Sequence, residues 1–222
     1  RNLLSQSKKK DIPVCAIVND MSELDVDGEL ISNTDIVEEN NQILESISSC
    51  VLSSKKGIEK LDYALKKLLS NQNPRLVIIE TSGSCHPLPL VEYFKNHKEV
   101  KLTGLFTLVD SLMLAHDYNY GEHLVPKMQH NITQGKRDTV NLLVEQIMFC
   151  SHLILTKADR VAKEKLPDIA THIQGINPNV STHSVHFGKL NIDALFELPE
   201  YNYFQVAQLI EELKSVLESQ EN

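Results

Sequence analysis

A chain of 222 residues with 41% hydrophobic and 23% charged residues can build one α/β domain with a full core, or one domain and a small appendage. Its net charge of −8 argues against a nucleic-acid surface, since a phosphate-binding face must be basic. No apolar run approaches the ~20 residues that span a bilayer, and four cysteines (Cys15, Cys50, Cys85, Cys150) without framework spacing point to a reduced, cytoplasmic chain.

The chain opens at Arg1, and Arg1–Lys10 reads as the back half of a helix with no strand before it, so upstream residues are expected to be missing. Residues 12–19 form the first predicted strand, entered through Pro13. Between Asp20 and Glu45 lie nine Asp or Glu residues and no Lys or Arg, the composition of a solvated acidic loop or of a segment that meets a cation. Ser46–Val51 is short and rich in small residues. In residues 57–71, Ile58, Leu61, Ala64, Leu65, Leu68 and Leu69 recur at helical spacing, which predicts an amphipathic helix.

Leu76-Val77-Ile78-Ile79 is a run of branched apolar residues that reads as a strand buried on both faces, as at the centre of a parallel sheet. It ends in Glu80-Thr81-Ser82-Gly83, which sets polar groups at its carboxyl end, where open α/β sheets bind ligands. Pro87 or Pro89 opens the next helix, to about His97. Residues 102–110 form another strand ending in an acid, Asp110. Residues 111–138 read as one helix and then a long loop, with exposed histidines at 116, 123 and 130. A helix over 139–150 leads to the apolar strand Leu153-Ile154-Leu155, which ends in Thr156-Lys157-Ala158-Asp159. Helix 161–176, a short strand at 180–185 and a helix from Tyr203 to Ser219 complete the chain. Helices alternating with strands are the pattern of a mostly parallel sheet flanked by helices.

Thr-Lys-x-Asp at a strand end has a definite chemistry. A carboxylate can accept two parallel hydrogen bonds from the ring N–H and exocyclic amine of guanine, a donor pair that adenine does not offer. A lysine stem can lie over the purine while its ammonium stays in water. Asp159 therefore reads as the guanine discriminator, with Lys157 over the base and Thr156 beside them.

At this point the ordered segments resemble the GTPase domain of the CobW-type proteins, P-loop GTPases and metallochaperones of the SIMIBI type. Residues 18–23 and 26–31 resemble the first switch region, Ile79–Gly83 the Walker B and second switch segment, Leu108–Asp110 the following strand end, and Gln146 with 153–159 the guanine-binding strand. The resemblance covers about residues 1–195, with a helical extension over 196–222. It implies a phosphate loop upstream of Arg1 and a C-terminal domain that this chain does not include.

The resemblance implies GTP or GDP with Mg2+ as ligands. Glu80 and Gly83 take the catalytic and γ-phosphate roles, and Asn19, Asp20 and Glu23 sit on the segment that senses the γ-phosphate. It also implies zinc as a further ligand and a client metalloprotein as a partner, with Cys50 and Glu23 where transferred metal is held. The family's Cys-x-Cys-Cys motif falls at Cys50-Val51-Leu52-Ser53, where only the first cysteine is present. Two readings follow: a GTPase, an acid anhydride hydrolase serving metal delivery, or an interaction module that has lost metal handling.

Overall fold

A computed structural model describes residues 2–20, 44–185, 190–209 and 211. The acidic run, with Glu23, lies outside these residues, and so does the side chain of Asp20. The chain forms two compact units, one of residues 1–90 with 187–197 and the other of residues 91–186 with 198–222. Both follow the expected parallel α/β pattern.

The first unit starts with helix α1 (Asn2–Lys10), followed by strand β1 (Val14–Asp20), strand β2 (Leu44–Ser48), helix α2 (Lys55–Gln72) and strand β3 (Leu76–Glu80). The three strands form a parallel sheet in the order β2-β1-β3. The apolar pattern sets Leu76–Glu80 at the sheet centre; the structure puts β1 there. Val14, Cys15, Ala16, Ile17 and Val18 are all buried, while residues 76–79 of β3 are half-buried and Glu80 is exposed. The physical reason is pairing: β1 has a hydrogen-bonded neighbour on each edge, and β3, among the described residues, on one. A branched apolar run fits both positions, so composition does not separate them.

Strand β2 is not apparent in the sequence. Its serines at 46 and 48 hide a strand that pairs with β1 from Ala16↔Leu44 to Asp20↔Ser48. Helix α2 is the amphipathic helix expected, burying Leu61, Ala64, Leu65 and Leu68. Ser54 caps it by accepting a hydrogen bond from the Gly57 N–H, and Asn73 in the left-handed conformation ends it before Pro74. Gly57 is required by packing, because a Cβ there would lie 2.2 Å from the Val51 carbonyl oxygen. Helix α1 packs with the short helix 192–196, and Ile192 completes a core cluster with Leu4, Val14, Ala16 and Val18. Gln6 links the same parts, its Nε2 donating to the Leu190 carbonyl and its Oε1 accepting from the Ile192 N–H.

Helix α3 (Pro87–Lys95) runs on from the first unit into the second. The second unit then contains strand β4 (Phe106–Asp110), helices α4 (Ser111–Asp117), α5 (Leu124–Thr133) and α6 (Thr139–Phe149), strand β5 (His152–Thr156), helix α7 (Leu166–Ile176) and strand β6 (Ser181–Ser184). The sheet is parallel, in the order β4-β5-β6.

Residues 111–138 hold two helices joined by a 3-10 turn at Asn119–Gly121, where the sequence predicts one helix and a loop. The polar, His-rich surface of α5 masks its periodicity, although Leu124 is fully buried. His116, His123 and His130 are exposed, as expected. Helix α7 starts at Leu166, later than expected, because Pro167 fits the first turn of a helix. Residues 203–209 are helical, and most of the predicted helix beyond them lies outside the described residues.

The second core joins Val109, Leu114, Leu124, Val144, Ile147, Leu153, Leu155, Ile169 and Ile173. Two buried polar contacts lock the end of α6. Asn177 Nδ2 faces the carbonyls of Ile147, Met148 and Cys150 at 2.9, 3.2 and 2.8 Å, and the Tyr201 hydroxyl donates to the Phe149 carbonyl at 2.6 Å. All four cysteines are free and buried.

Candidate functional site

In the first unit the parallel register brings the carboxyl ends of the strands to one edge: Asp20 is level with Ser48, and Val18 with Glu80. Glu80 ends β3 with its carboxylate exposed. The chain then turns through Thr81–His86, held by the Cys85 N–H donating to the Ser82 carbonyl at 3.0 Å and by the Ser82 and Ser84 hydroxyls 3.0 Å apart. The His86 N–H donates to Ser53 Oγ at 3.0 Å, which ties this turn to the residues that open α2.

Gly83 sits at the exposed tip. A Cβ there would meet nothing within 4 Å, and its backbone is outside the left-handed region that favours glycine. Among the described residues neither local conformation nor packing demands a glycine there. A glycine that the fold does not require fits a position where another molecule approaches the backbone closely.

Asn19 is 5% exposed, and its Nδ2 donates to the carbonyls of Ile47 and Cys50 at 3.0 and 2.9 Å. The amide fastens the end of β2 to β1. Its Oδ1 is buried without a partner among the described residues. Cys50 is 9% exposed, Leu52 fully buried, and Ser53 caps the Glu80–His86 turn as described. Among the described residues no group of three or more His, Cys, Asp or Glu side chains could hold a metal ion. Among the described residues one buried thiol beside a leucine and a serine falls short of a tight, closed zinc site, which takes about four N or S donors.

In the second unit the register sets Asp110 opposite Thr156 at the carboxyl ends of β4 and β5. Asp110 does two jobs. One carboxylate oxygen accepts the Leu112 and Met113 N–H groups at 2.9 and 3.3 Å and so caps α4. The other accepts Lys157 Nζ at 2.5 Å. The Lys157 ammonium, with the two N–H groups, holds the Asp110 carboxyl below its usual range against a smaller opposing effect of burial.

Lys157 has a left-handed backbone, with φ 53° and ψ 25°, which turns the chain sharply out of β5. Thr156 Oγ1 donates to the Val109 carbonyl at 3.2 Å, so this side chain serves the β4–β5 seam. Asp159 lies in the 3-10 turn Ala158–Arg160, where Ala158 is buried and anchors the turn. The Asp159 carboxylate is exposed and forms no hydrogen bond or ion pair with the described residues. Lys157 and Asp159 thus share one exposed turn, the ammonium held by Asp110 and the carboxylate free to accept.

Asp110 is the residue that sequence reasoning leaves without a role. The signal is the acid at the end of residues 102–110, but its partner depends on the β4–β5 register, which the sequence does not state.

Residues 1–184 match the CobW/HypB/UreG nucleotide-binding domain. The chain belongs to that family. This CobW/HypB/UreG chain is 31% identical over 193 residues to the zinc-regulated GTPase metalloprotein activator 1 of Dictyostelium discoideum, covering 78% of this chain and 41% of that protein. It is 26% identical over 196 residues to a zinc chaperone CobW of Pseudomonas aeruginosa, covering 80% and 49%. It therefore spans less than half the length of either relative.

Among solved structures, the Zn(II)-bound YjiA GTPase of E. coli overlays with a TM-score of 0.47 at 17% identity, covering 83% of this chain and 60% of that one. HypB of Helicobacter pylori in complex with nickel gives 0.48 at 14%, covering 96% and 80%. Among the described residues of this CobW/HypB/UreG family member, no helix is long and apolar enough to cross a membrane.

Proposed function

We propose that this chain is a CobW-type GTP-binding protein that reads guanine through Asp159 and Lys157 and uses GTP hydrolysis in metal delivery. The observation that carries the reading is the Lys157–Asp159 turn. An uncommitted carboxylate exposed at the end of a parallel strand is the acceptor that a guanine edge requires. Asp110 holds the Lys157 head at the side of the turn, which leaves the aliphatic stem to cover the base. Thr156 supports this turn through its bond to Val109.

The phosphate-side roles fall to Glu80 and Gly83. Gly83 would offer its backbone to the γ-phosphate, and Glu80, exposed at the end of β3, would orient the attacking water or complete the Mg2+ shell. Phosphoryl transfer needs little beyond positioning and charge stabilisation. Asp20 and Glu23 remain the proposed residues that respond to the γ-phosphate. Asn19 remains the third residue proposed for that segment, its amide held by the carbonyls of Ile47 and Cys50. Mg2+, when bound, supplies charge neutralisation at the phosphates.

Metal delivery to a client metalloprotein rests on the relatives, two of which are named for zinc. Toward such an ion the described part of this segment supplies only Cys50, with Glu23 as the proposed second donor. The protein's location is proposed to be cytoplasmic.

The test is titration of fluorescent GDP and ADP into the full-length protein, with and without Asp159→Ala. Loss of a carboxylate that accepts two hydrogen bonds costs about 2–4 kcal/mol, or roughly 30- to 1000-fold in affinity. GDP selectivity that collapses in the variant supports the reading. Equal affinity for GDP and ADP in the unsubstituted protein sinks it.

A further inference from the structure

The row of rings at the amino ends of the second sheet has no part in the nucleotide reading. Phe106 begins β4, His152 begins β5, and the register sets them side by side. Their rings stack with centroids 4.7 Å apart and planes 16° apart. His183 on β6 pairs in register with Ile154, two residues beyond His152 and on the same face, since side chains two apart on a strand share a face. The two histidine rings lie 5.5 Å apart between centroids, and His152 Nδ1 faces His183 Nε2 at 3.3 Å. Along β5 His152 is about 13 Å from Thr156, at the opposite end of the strand from the Lys157–Asp159 turn, and His183 is level with Ile154 between them.

A separation of 3.3 Å is long for a good hydrogen bond between two ring nitrogens. It is also the separation that a shared metal ion requires. Two imidazole nitrogens at about 2.0–2.1 Å from a tetrahedral ion stand about 3.3–3.4 Å apart, whereas ligands at right angles on a square-planar ion stand about 2.9 Å apart. Each ring turns one nitrogen toward the other. The backbone of two paired strands holds them there, and the stack on Phe106 fixes the orientation of His152. His183 is exposed, so an ion can enter from solvent and take water at its remaining positions.

We infer that His152 and His183 form a two-histidine site for a tetrahedral divalent metal, zinc above all, on the exposed face of the β5–β6 pair. With two protein donors it is an open, exchangeable site and not a structural one. Binding requires both facing nitrogens unprotonated. A neutral pair reaches that state by moving its shared proton to the outer nitrogen of the donor ring, with no net loss of a proton from the protein.

The inference is independent of the proposed guanine site, because it uses none of the residues of the Lys157–Asp159 turn. It is tested by titrating zinc sulfate into the full-length protein, uniformly labelled with 15N, and following the ring nitrogens of each histidine. The expected result is movement of His152 Nδ1 and His183 Nε2 together with one zinc equivalent, and no movement with Mg2+. His183→Asn, at an exposed position, should weaken zinc binding to His152 by about tenfold or more. Movement of only one ring nitrogen, an equal response to Mg2+, or unchanged zinc binding at His152 in His183→Asn would each overturn the site.

Discussion

Asp110 links a helix cap to the side chain proposed to cover the base, and the two roles can be separated by substitution. Asp110→Ala removes both. Loss of an N-cap acceptor costs typically about 1 kcal/mol. The ion pair with Lys157, whose side chain is 50% exposed against 29% for Asp110, is worth about 0.2–1 kcal/mol after solvent screening. The alanine variant should thus lose about 1–2 kcal/mol. Asp110→Asn keeps an oxygen for the Leu112 and Met113 N–H groups and should lose under about 1 kcal/mol. Lys157→Met should lose a similar amount, and combining it with Asp110→Asn should add little, since both remove one interaction.

The pH dependence has a definite direction. The Asp110 carboxyl titrates below its usual range in the folded chain, chiefly through the Lys157 ammonium. Its contribution is therefore fully present above the unfolded carboxyl pKa of about 3.9 and fades as pH falls through the lower folded value. Urea unfolding midpoints of the five proteins, measured from pH 7 down to pH 3, check both parts. The gap between the unsubstituted protein and Asp110→Asn should stay constant to about pH 5 and close below about pH 4. If Asp110→Asn destabilises as much as Asp110→Ala, or if the gap widens in acid, the assignment of cap and pair to separate oxygens is wrong.

Two further outcomes follow from the second core. Asn177→Ala leaves three carbonyls near the end of α6 without their shared donor and should cost about 2–4 kcal/mol in urea unfolding; a cost below about 0.5 kcal/mol would show that those carbonyls are satisfied without it. Burial pushes the Cys150 thiol up to about 12. At pH 8 only about one molecule in ten thousand then carries the thiolate. Native labelling of Cys150 by a thiol reagent, followed by mass spectrometry, should run over a hundredfold slower than in urea, and comparable rates would contradict the burial.

Strong local patterns were legible in the sequence, and the weak one of α5 was not. The apolar runs of β1, β3 and β5 and the 3.6-residue spacing of α2 predict real elements, and the polar ends of β3 and β5 carry the residues proposed for the site. What stays hidden depends on register and neighbours. β2 escapes because Ser46 and Ser48 dilute an alternation that is decided by pairing with β1. The central place goes to β1 and not to β3, a distinction that a branched run cannot carry because it suits a central and a flanking strand equally. The Asp110–Lys157 pair and the His152–His183 pair each join residues on different strands, or at their ends, and such contacts become visible only when the strands are aligned.

The return of residues 187–197 to the first unit has a consequence for synthesis. Ile192, fully buried, closes a core whose other members, Leu4, Val14, Ala16 and Val18, leave the ribosome well before it. The second unit's β4, β5 and α6 are made in between, with all the local contacts of their own core. The first unit therefore waits, with its core incomplete, for a helix made after β4, β5 and α6, and the second unit in turn waits for Tyr201, so neither is complete when its first strands have been made. A nascent chain halted before Ile192 would expose the apolar faces of α1 and β1 to whatever chaperone is near the tunnel exit.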